Sequence, residues 1–145
     1  MSVELPFAPV DTVIRRNAGQ LRVSAEAAEE LARRIQARGA ELAVEAATRA
    51  TEDDRKTLMA EDFDARTVDK DRLELPIAPI DRIARLDIDD RYRVSMDARI
   101  ALAGELESYA DTVATAAAAL ARHADRRTVT ADDITTYYEL EPYFE

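Results

Sequence analysis

Apolar residues recur at helical spacing along two long stretches of the chain. In the second stretch the intervals between them are four, three, four, four, three and four residues, which places them on one face of a helix. That face consists of Leu102, Leu106, Tyr109, Val113, Ala117, Leu120 and Ala124. The first stretch has an equivalent stripe at Leu31, Ile35, Leu42 and Ala46. We therefore expect two long amphipathic helices of about 28 residues, roughly 42 Å each at 1.5 Å per residue.

Shorter helices are expected on either side of each long helix. Proline opens two runs that predict first helices over residues 6–16 and 76–86, because a missing N–H costs nothing where a helix begins. Ser24 and Ser95 are good N-cap residues for the long helices. A short turn then leads to a third helix in each half. Residues 64–72 are polar, and we interpret them as the tail of the first such helix followed by a linker.

The two halves of the chain repeat each other. Three landmarks recur in the same order at offsets of 70, 71 and 71 residues. They are Leu-Pro-x-Ala-Pro at residues 5–9 and 75–79, Arg-Val-Ser at 22–24 and 93–95, and a turn of two basic residues and threonine at 55–57 and 126–128. Two copies are too few for a solenoid. We predict one compact all-α domain in which residues 1–67 and 68–145 form the halves of a two-fold pseudodimer.

An acidic residue follows each basic turn at the same distance. Asp62 lies seven residues after Arg55, and Asp133 lies seven residues after Arg126. This spacing predicts an ion pair that clips the third helix to the turn, with Thr130 and Asp133 forming a capping box in the second half. A catalytic interpretation is disfavoured, because no nucleophile or second acid completes a site.

The composition excludes several classes of function. The chain has no cysteine, one histidine and three glycines, so thiolate sites are excluded and little remains from which to build an active site. We expect a protein that is not an enzyme and that has no cofactor and no metal site. The sequence has no signal-peptide pattern and no long apolar run, so we expect a soluble, cytoplasmic protein without a membrane partner.

The charge is strongly negative and unusually composed. The 20 basic and 30 acidic residues give a formal net charge of -10, and only Lys56 and Lys70 are lysines. An excess of carboxylates with almost no lysine suggests a protein adapted to high salt. An ordinary acidic protein is the alternative.

The repeated landmarks resemble those of the archaeal histones. The Leu-Pro-x-Ala-Pro opening, Arg-Val-Ser before the long helix, and the basic turn with an aspartate seven residues after its arginine occur twice and cover nearly the whole chain. The chain resembles a doublet histone of salt-loving archaea. The resemblance implies two histone folds, each helix, long helix and helix, that form a handshake within one chain and bind double-stranded DNA in the chromosome.

The resemblance also implies which residues contact DNA. In the family, contacts to the backbone and minor groove come from the starts of the paired first helices and from paired loops. Carried over to this chain, the positions are Arg15, Arg16, Arg22, Arg55, Lys56, Thr57, Arg82, Arg85, Arg93, Arg126, Arg127 and Thr128. The first repeat departs from this pattern at Thr12, where the second repeat has Arg82.

The two ends of the expected handshake differ in charge. Residues 17–24 and 125–130 together hold three arginines and one aspartate, whereas residues 86–95 and 52–59 hold four basic and six acidic residues. The centre has four first-helix arginines against two aspartates. We therefore expect lopsided DNA contacts, in which changing Arg22 and Arg126 to alanine weakens binding far more than changing Arg93 and Arg55.

The resemblance further implies a self-association surface at Leu120, His123 and Asp133. The first repeat has Arg49 and Glu52 where Leu120 and His123 stand in the second repeat. Chains are therefore expected to join through their second repeats only, as a closed dimer of pseudodimers. A surface or packed imidazole is the simpler interpretation of a lone histidine.

Salt limits the expected mode of DNA binding. Six phosphate contacts would lose roughly eight decades of affinity between about 0.1 and 3 M salt. Sparse, sequence- or shape-biased binding with a role in transcription is therefore expected rather than bulk DNA wrapping. The alternative is an acidic histone-fold module that binds proteins through its long-helix glutamates and acidic C-terminus. Those glutamates are Glu26, Glu29, Glu30, Glu41 and Glu45, for which a solvated face is the preferred interpretation.

Overall fold

A computed structural model describes residues 2–65 and 68–144. The helices are α1 (Phe7–Arg16), α2 (Ala25–Glu52), α3 (Ile77–Ala84), α4 (Met96–His123) and α5 (Ala131–Leu140). Two-residue strands are β1 (Arg22–Val23), β2 (Thr57–Leu58), β3 (Arg93–Val94) and β4 (Thr128–Val129). Short 3₁₀ turns cover Ala60–Phe63, Lys70–Arg72 and Glu141–Tyr143.

The two long helices begin where the sequence predicts. The hydroxyl oxygens of Ser24 and Ser95 each accept a hydrogen bond of 3.1 Å, from the backbone N–H groups of Ala27 and Ala98 respectively. These bonds satisfy one of the free N–H groups at each helix start. Both helices are 28 residues long, as expected.

The halves are joined by a reciprocal pair of parallel bridges. β1 pairs with β4, with Arg22 opposite Thr128, and β2 pairs with β3, with Thr57 opposite Arg93. The Arg22 N–H donates to the Arg127 carbonyl at 2.8 Å, and the Arg93 N–H donates to the Lys56 carbonyl at the same distance. The loop before each long helix therefore lies beside the basic turn of the other half, which confirms the intramolecular handshake.

One core is shared by both halves. The predicted stripes bury Leu31, Ile35, Leu102 and Leu106 completely. Each long helix packs against the short elements of the other half, α2 against α3 and α5, and α4 against α1 and the 3₁₀ turn Ala60–Phe63. Ala124 is exposed, because α4 ends one residue before it.

A glycine allows a close approach within this core. A Cβ atom added to Gly39 of α2 would lie 2.7 Å from the Ile83 side chain and 2.9 Å from the Leu106 side chain. Contacts this short do not occur in packed proteins, so only glycine fits without movement of its neighbours.

The third helix forms only in the second half. The prediction of a third helix in the first half is wrong in extent, because that segment is the 3₁₀ turn Ala60–Phe63, which ends at Asp64 in the left-handed conformation with a φ of 51°. The chain then turns towards α4, where Val68 packs against Gly104. It reaches α3 through the second 3₁₀ turn, Lys70–Arg72. No helical tail is present in the described part of the predicted linker, whose residues 66 and 67 lie outside the described residues.

None of the helices in the described ranges is long and apolar enough to cross a lipid bilayer.

Candidate nucleic-acid interface

Both predicted Arg–Asp clips are present. Arg55 donates two hydrogen bonds of 2.8 Å to Asp62, whose side chain is 2% exposed. Arg126 likewise donates to both carboxylate oxygens of Asp133, whose side chain is 3% exposed, with an Nη1 to Oδ2 distance of 2.7 Å. The clips fix the basic turns, but they also commit both guanidinium groups to buried carboxylates. The DNA contacts of Arg55 and Arg126 stay a prediction, and a phosphate there would compete with these carboxylates for the guanidinium groups.

The clip carboxylates are held ionised. Hydrogen bonds from Arg55 lower the pKa of Asp62 despite its burial, and the Met59 N–H adds to this effect. Burial alone would raise the pKa of Asp133, but hydrogen bonds from Arg126 and the Thr130 N–H more than offset it. The net pKa of Asp133 therefore lies below its usual range. The Thr130–Asp133 capping box is present as predicted.

A cleft with three arginines lies at the end of the molecule where β1 meets β4. This arginine cleft has a volume of about 430 Å³. Its lining residues are Gln20, Leu21, Arg22, Arg122 and Arg127. Among the described residues no carboxylate pairs with Arg22, Arg122 or Arg127. The cleft can therefore offer three guanidinium groups to anions without first breaking an internal ion pair.

Arg122 was missed by the sequence analysis. It lies in the last turn of α4, and its Nη2 donates to the Ala18 carbonyl at 3.3 Å, which holds the side chain across the loop after α1. The available signal was its place one turn before the basic pair at 126 and 127. The handshake places the loop after α1 beside the end of α4, and only this arrangement shows that Arg122 lies in the same cleft as Arg22.

The opposite end has a different character. Lys56 and Arg93 occupy the positions equivalent to Arg127 and Arg22. Thr51 replaces Arg122, and its hydroxyl pairs with the Tyr92 hydroxyl instead of facing an anion site. We call this the acidic end, because six carboxylates here are exposed. They belong to Glu52, Asp53, Asp54, Asp87, Asp89 and Asp90.

The arginines of the first helices are all paired within the molecule. Arg15 Nε lies 2.7 Å from Asp11, and Arg85 Nε lies 3.1 Å from Asp81. In both pairs the residues are four apart in the sequence. Such exposed pairs stabilise weakly, so these two arginines remain available to a stronger anion.

Three more carboxylates reach this central region from distant parts of the chain. Arg82 Nε lies 2.9 Å from Glu4, and Arg16 Nη2 lies 2.9 Å from Asp111 and 3.0 Å from Glu107. The hydrogen bond from Arg16 to Asp111 is the main reason that the pKa of Arg16 is raised. The centre is therefore not the net-positive surface that counting residues 11, 15, 16, 81, 82 and 85 suggested.

The proposed self-association residues lie in unequal environments. His123 is exposed, and Leu120 packs partly against the core. Asp133 is buried, and its carboxylate already accepts bonds from Arg126 and Thr130. In the first half, Arg49 donates to the Asp62 carbonyl at 2.6 Å, so that half presents a different surface.

Comparison with known proteins identifies the family. The model of histone-like transcription factors (CBF/NF-Y) and archaeal histones matches twice, at residues 3–65 and 73–136. The chain belongs to this family. One relative, an archaeal histone of the HAN1 type from Thermococcus zilligii, is 54% identical over 61 residues, covering 42% of this chain and 88% of that protein. The crystal structure of the histone from Methanopyrus kandleri is 22% identical, covers 90% of each chain and has a TM-score of 0.69.

These findings confirm the resemblance, the doublet of histone folds and a protein that is not an enzyme. In general terms they support a histone-like DNA-binding protein. The described residues include no group of three or more histidine, aspartate or glutamate side chains that could hold a metal ion.

Proposed function

We propose that this histone-fold protein binds double-stranded DNA mainly at the arginine cleft, with a sparse set of phosphate and minor-groove contacts, and acts in transcription on the chromosome rather than in bulk DNA wrapping. The observation that carries this proposal is the contrast between the two ends. One end has three arginines without carboxylate partners, and the other has six exposed carboxylates and four basic residues, of which Arg55 and Arg91 are paired with carboxylates.

The geometry of the arginine cleft suits a phosphate backbone. Arg22 and Arg127 are on adjacent parallel segments, because the Arg22 N–H bonds to the Arg127 carbonyl. Thr128, directly opposite Arg22, adds a hydroxyl group at the same point. Guanidinium groups on short, fixed loops bind phosphates and can enter the minor groove. The four first-helix arginines then make supporting contacts, for which each must leave its carboxylate partner and bind a phosphate instead. They are Arg15, Arg16, Arg82 and Arg85.

The number of contacts predicts the salt dependence. Three phosphate contacts give a slope of about -3 for log affinity against log salt, or roughly four decades lost between about 0.1 and 3 M. That loss is much smaller than the one expected for six contacts. A protein with a net charge of -10 and few lysines fits a salt-rich cytoplasm, where screening also weakens repulsion between its carboxylates and DNA.

Binding to fluorescent duplex DNA, measured by anisotropy in a potassium chloride series, tests the proposal. The R22A/R127A variant should bind at least about tenfold more weakly, and its salt slope should fall by about 2. The matched control is K56A/R93A, which removes the equivalent residues at the acidic end and should change the affinity by less than about threefold. Both pairs avoid the clip arginines, so loss of folding does not imitate loss of binding. Equal losses in the two variants would overturn the lopsided arrangement.

We further propose that two chains associate through Leu120 and His123 of their second halves. Asp133 supports this surface from beneath through its bonds to Arg126 and Thr130. The equivalent surface of the first half has Arg49 and Glu52, which suits closure at two chains rather than an open polymer.

A further inference from the structure

A second surface feature lies along α2, away from the arginine cleft. It is an apolar groove of about 700 Å³, whose apolar lining is formed by Val3, Ala37, Ala40, Val44 and Leu86. Val3 and Val44 are 37% and 41% exposed, so the groove leaves aliphatic surface in contact with water. The lining of the groove on α2 begins at Arg33, about 12 Å from the helix start beside Arg22 at 1.5 Å per residue, and it shares no residue with the arginine cleft. It can therefore be occupied while DNA is bound.

The groove continues towards the acidic end. A second depression of about 390 Å³ shares Val44 with it and is bordered by Ala47, Ile88 and Tyr92. Together the two span α2 from Arg33 to Glu52, which is about 28 Å or five helical turns. This length suits an amphipathic helix laid into a groove.

The equivalent place in the other half is a smaller depression of about 420 Å³, whose lining includes Val68, Glu107 and Asp111. There Arg16 bonds to Asp111 at 2.9 Å, and the Asn17 side chain bonds to Asp111 at 2.7 Å. Thr115 donates to the Asn17 side chain at 3.2 Å and completes the network. Offsets of 70 and 71 residues place Leu86, Ala40 and Val44 where Arg16, Asp111 and Thr115 stand. The handshake therefore creates a depression in both halves, but only the one along α2 has apolar residues at these three positions.

The rim of the groove is acidic. Glu41, Glu45 and Asp87 line the first part, and Glu52 and Asp89 line the continuation, all of them exposed. The one basic residue in the described lining, Arg33, lies 2.7 Å from Glu30, which it shares with Arg34, and it stands against five rim carboxylates. Among the described residues, Glu45 and Asp87 have no basic partner.

The negative charge of the rim indicates which kind of molecule can bind in the apolar groove. DNA is excluded because its phosphates would face five carboxylates. A second copy of the chain is disfavoured, since it has a net charge of -10 and its own long helices are acidic. We infer that the apolar groove docks a basic amphipathic helix of a partner protein, with aliphatic side chains on the Ala37–Ala40–Val44 floor and lysine or arginine against the rim. This inference does not depend on DNA binding.

A designed peptide tests the inference without knowledge of the partner. The probe is a fluorescent helix of about 16 residues, with leucines at helical spacing on one face and lysines on the flanks. Two control peptides accompany it: one with the same residues in scrambled order, and one with glutamate in place of lysine. The intact protein should bind the designed helix at least about tenfold more tightly than either control at moderate salt.

Variants then locate the site. Val44→Asp places a charge on the floor at an already exposed position and should weaken peptide binding at least about tenfold, while E45K should weaken it less and mainly at low salt. The matched control is Thr115→Asp, the equivalent position in the other half, which should leave peptide affinity unchanged. Circular dichroism checks folding, and DNA affinity should stay the same in V44D.

Four results would overturn the inference. One is equal binding of the scrambled peptide, and another is unchanged peptide binding by V44D. The third is light scattering in which V44D, but not T115D, abolishes self-association, since that result would assign the groove to a second copy. Amide chemical-shift changes on peptide addition should centre on residues 37–44 and 86–88, and changes confined to other faces would also contradict it.

Discussion

Removing the arginine of the second clip should destabilise the protein although Arg126 lies at the surface. R126A leaves the carboxylate of Asp133, only 3% exposed, without its cationic partner. Loss of one partner of a buried pair costs about 3–5 kcal/mol in general. Here Arg126 is itself 39% exposed, and Asp133 keeps bonds from the Thr130 N–H at 2.8 Å and hydroxyl at 3.2 Å. We therefore expect a smaller loss, about 2–3 kcal/mol, or roughly 6–9 °C in melting temperature.

Urea unfolding followed by circular dichroism measures this loss. The matched control is R33A, because Arg33 pairs with Glu30 on the solvent face of α2 and is 53% exposed. It should cost no more than about 0.5 kcal/mol. Both variants are measured at low salt and at about 2 M KCl, where exposed pairs are screened and buried ones much less so.

A double-variant cycle completes the test. Replacing both Arg126 and Asp133 with alanine removes the buried charge together with its partner, so the double variant should be more stable than the sum of the single losses predicts, by at least about 1 kcal/mol. The reasoning is refuted if R126A is no more destabilising than R33A, or if the coupling energy disappears at high salt.

Three further outcomes follow from the packing, the clips and the proposed assembly. Gly39→Ala should lower the free energy of unfolding by about 1 kcal/mol, because the clash with its neighbours exceeds the gain in helix propensity; an unchanged or higher melting temperature would contradict the close approach. Both clip carboxylates have pKa values below the ordinary value of about 3.9, so their stabilisation is complete above about pH 4 and is lost as the pH falls through the folded-state pKa values. Urea midpoints across this range should fall less steeply in D62N/D133N than in the natural protein, and parallel curves would count against the clips. Light scattering at high salt should give twice the chain mass of 16.2 kDa, reduced to one chain by H123A, whereas a strict monomer or a continuous ladder of sizes would refute the closed dimer.

Local features of the fold were accessible from the sequence. The capping roles of Ser24 and Ser95 and the seven-residue spacing of Arg126 and Asp133 depend on residues close together in the chain. The repeat then allowed the handshake to be inferred, because a long helix in a half of about seventy residues cannot bury its own apolar stripe.

The features that were missed depend on where distant segments meet. The third helix of the first half is cut short by the path from Asp64 to α3, although its local composition resembles that of α5. The neutralisation of Arg82 by Glu4 joins residues 78 positions apart in the sequence. Arg122 gains its place in the cleft only because the loop after α1 of the other half lies against it.

The apolar groove was also missed, because it too depends on where distant segments meet. The exchange of Arg16 for Leu86 is visible when the two repeats are aligned, but a change at one surface position has no evident meaning by itself. Its consequence appears only when the handshake places Leu86 and Ala40 on one groove, as the other half places Arg16 beside Asp111. Surface chemistry in a pseudodimer therefore requires comparison of its two halves in space.

Tethered DNA cleavage tests the central claim, lopsided DNA binding, most directly. The chain has no cysteine, so a single iron–EDTA label can be attached at Gln20→Cys beside the arginine cleft, or at Asp90→Cys at the acidic end. Both positions are exposed, and both labelled proteins should fold alike. Lopsided binding should give strong cleavage of bound duplex DNA from position 20 and little from position 90 at the same fraction bound. Equal cleavage from both positions would show that DNA contacts both ends and would contradict the account.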